Sequence, residues 1–71
     1  MRFIIEMNLE GAAFQDNREG EAQHIADSVA EQLRRAMLSM SDQGVRPWML
    51  TTAYAYDSNG NMVATITPNN A

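Results

Sequence analysis

At 71 residues, with no cysteine, the chain makes one small domain that must be held by packing or self-association, because disulfides, thiolate chemistry and cysteine-rich zinc sites are excluded. Nine acidic residues against five arginines leave a net charge of −4, which repels a phosphate backbone and argues against a nucleic-acid partner. No apolar run approaches the roughly 18 residues of a membrane span, and the start lacks a signal-peptide pattern, so the expectation is a cytoplasmic protein that begins at Met1 and has no membrane partner.

Residues 2–9 alternate, with Phe3, Ile5, Met7 and Leu9 on one side and Arg2, Ile4, Glu6 and Asn8 on the other. That is the period of a half-buried strand. Glu10 and Gly11 break it, and Ala12, Ala13 and Phe14 form a short apolar segment expected to fold back so that Phe14 lids the core. Asp16 or Asn17 then offers an N-cap, and Glu19 and Glu21 suit the positive end of a helix dipole.

From residue 20 to about 39, Ala22, Ile25, Ala26, Val29, Leu33, Ala36, Met37 and Met40 recur at three- and four-residue steps. The spacing predicts an amphipathic helix, with Val29 and Leu33 mid-stripe and nearly fully buried. His24, Asp27, Glu31, Arg34 and Arg35 occupy the opposite arc, with Glu31 and Arg35 forming an i,i+4 pair; Leu38 falls among them as the apolar exception.

Residues 41–47 read as a loop and residues 48–56 as a strand. Asp57-Ser58-Asn59-Gly60 is a turn, residues 61–67 are the returning strand, Pro68 ends it, and residues 68–71 are expected to fray. Two hairpin registers are open. A two-residue Asn59-Gly60 turn pairs Tyr56 with Val63, gathers Ala53, Ala55, Met62, Ala64 and Ile66 into a small-residue floor, and turns the tyrosines outward. A type I turn with Gly60 as a left-handed bulge residue groups Leu50, Tyr54 and Tyr56 with Met62, Ala64 and Ile66 instead. The fold expected over residues 1–71 is a single α+β domain of order β-α-β-β. Its three-stranded antiparallel sheet sets the first strand beside the last, with one helix packed on one face.

Three stretches, Gly-Ala-Ala-Phe-Gln-Asp-Asn from Gly11, the helix after it, and Asp-Ser-Asn-Gly-Asn-Met-Val from Asp57, resemble a group of small uncharacterised phage and bacterial proteins. These open with a strand, continue with an Asn-Ala-Ala-Phe-acidic segment and an amphipathic helix, and end in an Asp-x-Asn-Gly-Asn-x-Val hairpin. The chain departs from that pattern between residues 39 and 54, where its linker and strand are longer. Gly11 also stands for the group's Asn, and Ala64 for a common Gly. The resemblance brings no activity with it; it implies a phage- or prophage-associated accessory protein of the kind that acts by binding a host protein.

For chemistry, the residues offer little. His24 with Asp27 or Glu31 is the sole local metal option, and a solvated helix face accounts for all three. Glu6 and Glu10 have no nucleophile or anion hole beside them, and Asp57 to Asn61 lacks the later glutamate of a calcium loop. No catalytic residue, cofactor or metal ligand is therefore assigned. Trp48, Tyr54 and Tyr56 are either core or interface anchors; as anchors they would have Arg34, Arg35 and Arg46 as charged companions. The expected function is a non-enzymatic protein-binding module that modulates or inhibits a host protein by surface contact. The alternative is a structural homo-oligomer, at its simplest a homodimer, assembled through exposed strand edges or the open sheet face.

Overall fold

Both sequence periods become structure, the period of two as a sheet and the period of 3.6 as one long helix. A computed structural model describes residues 1–69 as β1 (Arg2–Met7), α1 (Ala12–Asp16), α2 (Arg18–Asp42), β2 (Ala53–Tyr56) and β3 (Met62–Asn69). The strands form one antiparallel sheet of order β1-β3-β2, so the first strand lies beside the last, and α2 packs over β2 and β3 on one face. This is the expected α+β architecture.

Phe14 is buried, and α1 brings it onto the core formed by Ile25 and Val29 of α2 with Ala55, Val63, Ala64 and Ile66 of the hairpin. The chain reverses at Asn17, whose Oδ1 accepts a bond from the Gly20 N–H at 3.1 Å and caps α2. A Cβ at Gly20 would come within 2.3 Å of the Asn17 amide nitrogen, so the cap depends on glycine there. The alanines at 55 and 64 let Ile25 approach the sheet closely enough to be almost wholly removed from water.

The hairpin combines the two registers. Gly60, at φ 84°, closes the turn with its N–H on the Asp57 carbonyl, and Tyr56 stands opposite Met62, as in the type I reading. One step further Ala55 pairs with Ala64, because Val63 is an extra residue that shifts the register by one. That shift restores the small-residue floor of the two-residue reading, with Met62 left out of it. Ala53, Ala55, Ala64 and Ile66 face the helix, while Tyr54, Tyr56 and Met62 face away from it.

Several boundaries and burials differ from expectation. The helix runs on to Asp42. The strand expected over residues 48–56 is Ala53–Tyr56 alone, since Pro47–Met49 form a 3₁₀ turn in which Leu50 N–H bonds the Pro47 carbonyl. Leu33 is half-buried rather than fully buried. At about 1.5 Å per residue the 25-residue helix outruns a sheet whose longest strand has eight, and Leu33 with Phe3 and Ala53 lies at the rim of the core. Ile5 and Met7 point to the helix side as expected but stay exposed, because α2 lies mainly over β2 and β3.

Pro68 does not end β3, and the expected tail is ordered strand through Asn69; its last two residues lie outside the described ones. In the ladder with β1, Pro68 stands opposite Phe3 at a position whose amide side faces β2. There β2 has already ended, since its first residue Ala53 pairs with Ile66. The missing proline N–H thus removes no ladder bond.

Candidate protein-binding face

Among the described residues, no element covers the sheet face opposite the helix. Alternation from the buried Ala55 and Ile66 places Tyr54, Tyr56, Met62, Thr65, Thr67, Ile4 and Glu6 on it. Cross-strand rows are Tyr54–Thr65–Glu6 and Tyr56–Met62, with Ile4 opposite Thr67. Ile4, Tyr54, Tyr56 and Met62 are between 44 % and 53 % exposed, although their backbones lie in a paired sheet. A tyrosine held this way offers an apolar ring and a hydroxyl at low entropic cost, as an interface anchor requires. Between the end of β1 and the start of β3, a shallow depression of ≈ 270 Å³ is lined by residues 6–8 and 62–65.

The other candidate residues stand elsewhere. Trp48 is 71 % exposed on the 3₁₀ turn, with Arg46 exposed just before it, so both belong to the loop that leads into β2. Arg34 and Arg35 lie on α2, across the sheet from the tyrosines, and the structure does not bring them onto the tyrosine face. Both are engaged by Glu31. Arg34 donates from Nε at 2.9 Å and from Nη2 at 2.6 Å, and Arg35 donates from Nε at 3.1 Å. The Arg34 hydrogen bonds, with help from Arg35, lower the Glu31 carboxyl from its ordinary 4.5 to about 2, and Glu31 in turn raises Arg34.

The carboxylates with metal-ligand spacing are all engaged within the chain. Asp27 accepts a bond from Gln23 at 2.8 Å and Glu31 holds its two arginines, so both carboxylates near His24 are occupied along the helix. Asp57 is buried and its Oδ1 accepts the N–H groups of Asn59 and Asn61, each at 2.9 Å, which is the work of a turn-forming aspartate. Among the described residues, no three histidine, aspartate or glutamate side chains converge as metal donors, and no helix is long and apolar enough to cross a membrane.

One polar residue was invisible in the sequence as a structural group. Glu21, expected as a first-turn charge that suits the helix dipole, is buried, and its carboxylate accepts from both the N–H and the hydroxyl of Ser58 at the hairpin tip. Nothing in the spacing of residues 37 apart announces that contact.

No family model, curated protein or solved structure matches this chain.

Proposed function

We propose that the chain is a small non-enzymatic accessory module that binds a host protein through its open sheet face and modulates or inhibits it by surface contact. The observation that supports this reading is the exposed row of Tyr54, Tyr56, Met62 and Ile4 on a face that no described element covers. Aromatic and methionine side chains are the types that dominate interface hot spots and adapt to irregular partner surfaces. The face carries few charges, so its partner is a protein surface that is largely apolar and offers hydrogen-bond acceptors to the tyrosine hydroxyls. The phage association and the cytoplasmic setting are proposed from the resemblance and the composition.

The test is retention of a host protein on the immobilised chain, compared between the parent and the Tyr54→Ala and Tyr56→Ala variants. Each variant is first shown to be folded by circular dichroism. A partner lost from the tyrosine variants and kept by Arg34→Ala supports the face. If a partner is held equally by both tyrosine variants and lost on Trp48→Ala or Arg46→Ala, the working surface is the loop instead.

A further inference from the structure

Among the described residues, β1 is an edge strand, paired on one side alone. Asn8 N–H donates to the Val63 carbonyl at 2.7 Å, which sets the hydrogen-bonding phase of the β1–β3 ladder. Arg2, Ile4 and Glu6 share that phase and turn their backbone groups toward β3, so Phe3, Ile5 and Met7 aim theirs outward. No strand of the described chain lies on that side. A bare edge of this kind is a template for another strand, and β1 carries neither a proline nor a bulge in its ladder with β3 to blunt it. The opposite edge, β2, is four residues long and ends at the bulge.

We infer that the occupant of this edge is a second copy of β1, paired antiparallel about a two-fold axis through Ile4. The run Arg2-Phe3-Ile4-Ile5-Glu6 is complementary to its own reverse. In this register Arg2 stands opposite Glu6 of the second copy on the open face, twice over, with the two Ile4 side chains between them. On the helix face Phe3 stands opposite Ile5 of the second copy. Opposite charges in directly facing positions stabilise a strand pair, and apolar pairs do the same. Phe3 and Ile5 are also the residues whose outward backbone groups then bond to one another. Moving the axis to Ile5 would set Glu6 against Ile4 and Arg2 against Asn8, which loses both charge pairs. Within one chain the charges are available for this use, because among the described residues neither Arg2 nor Glu6 is in an ion pair.

The edge is open to such a copy, since Ile4, Ile5 and Met7 of β1 are 40–45 % exposed. Joined at β1, two copies make a six-stranded sheet with both helices on one face and both tyrosine faces on the other. The inference does not rest on the host-protein reading, since the tyrosines take no part in the pairing.

The absence of cysteine makes the test clean. In a non-hydrogen-bonded antiparallel pair the two Cα atoms lie about 4.5 Å apart, within disulfide range, so Ile4→Cys should cross-link with itself under mild oxidation. It should do so roughly tenfold or more faster than Tyr54→Cys, a comparably exposed control, because pairing raises the local thiol concentration. The parent should sediment as a dimer in the micromolar to millimolar range. Glu6→Arg should dissociate it, and Arg2→Glu combined with Glu6→Arg should restore it. The inference is overturned if the parent stays monomeric, if Ile4→Cys cross-links no faster than Tyr54→Cys, if Ile5→Cys cross-links in its place, or if the double variant fails to restore the dimer. Cross-linking does not depend on whether the charge variants fold, so the pairing stays testable even if Glu6→Arg unfolds the chain.

Discussion

Glu21 in the first turns of α2 and Ser58 at the hairpin tip are joined by two hydrogen bonds, one from the serine N–H at 3.2 Å and one from its hydroxyl. This contact clamps the helix N-terminus to the far end of the sheet, and Asp57 beside it organises the turn from within. Two buried carboxylates thus define one end of a domain whose apolar core is only a few residues deep.

Glu21→Ala should destabilise the fold by about 1–3 kcal/mol, since hydrogen bonds to a charged group are stronger than neutral ones. Ser58→Ala removes the hydroxyl bond but keeps the backbone one, and should cost about half as much. Urea denaturation of the two single variants and the double variant measures the pair. Additive effects in that cycle would show that the Ser58 hydroxyl and the Glu21 carboxylate are not coupled.

Ile25 is 1 % exposed against the alanine floor of the sheet. Ile25→Ala should cost about 2–5 kcal/mol, enough to unfold much of the population of a domain this small. Leu33→Ala, at the half-buried rim, should cost clearly less. Melting temperatures in the reverse order would mean that the core is centred further along α2.

Gly60 closes the turn at φ 84°, and a Cβ added there meets nothing within 4 Å. The cost of Gly60→Ala is therefore conformational alone, about 1–2 kcal/mol, and no side-chain repacking can recover it. Gly60→Asn, which tolerates the left-handed region better, should lose less. Thermal melts of the two variants check the order.

Glu31 titrates near 2 when folded, against an ordinary value of 4.5. Because the folded value is the lower one, the stabilisation it carries is complete above 4.5 and is lost as the pH falls toward 2. Side-chain carboxyl chemical shifts followed from neutral to acidic pH should show this midpoint, and Arg34→Gln should move it upward more than Arg35→Gln does. An unchanged midpoint in Arg34→Gln would refute the pairing geometry. The group is exposed, so added salt should also weaken the effect.

The local elements were legible because they depend on neighbours in the chain. The 3.6 period of Ile25, Val29, Leu33 and Ala36 marked the helix, Asp16 or Asn17 marked its start, with Asn17 the one used, and Asn59-Gly60 marked the turn. Topology followed as well, since a short hairpin turn and a single crossover leave few arrangements for three strands. What the tertiary structure decided were relationships between distant residues. The extra residue Val63 put the tyrosines on the open face, a choice that depends on which side of the hairpin the helix can approach, and the alanines at 53, 55 and 64 make that approach close. The placement of α2 over β2 and β3 left Ile5 and Met7 exposed, and its overhang left Leu33 half-buried, because a helix rising 1.5 Å per residue and strands rising about 3.3 Å match only over part of their lengths. Glu21 was buried by the hairpin tip, although its position in the chain marks it as a first-turn charge that suits the helix dipole, because only the folded sheet carries Ser58 to it.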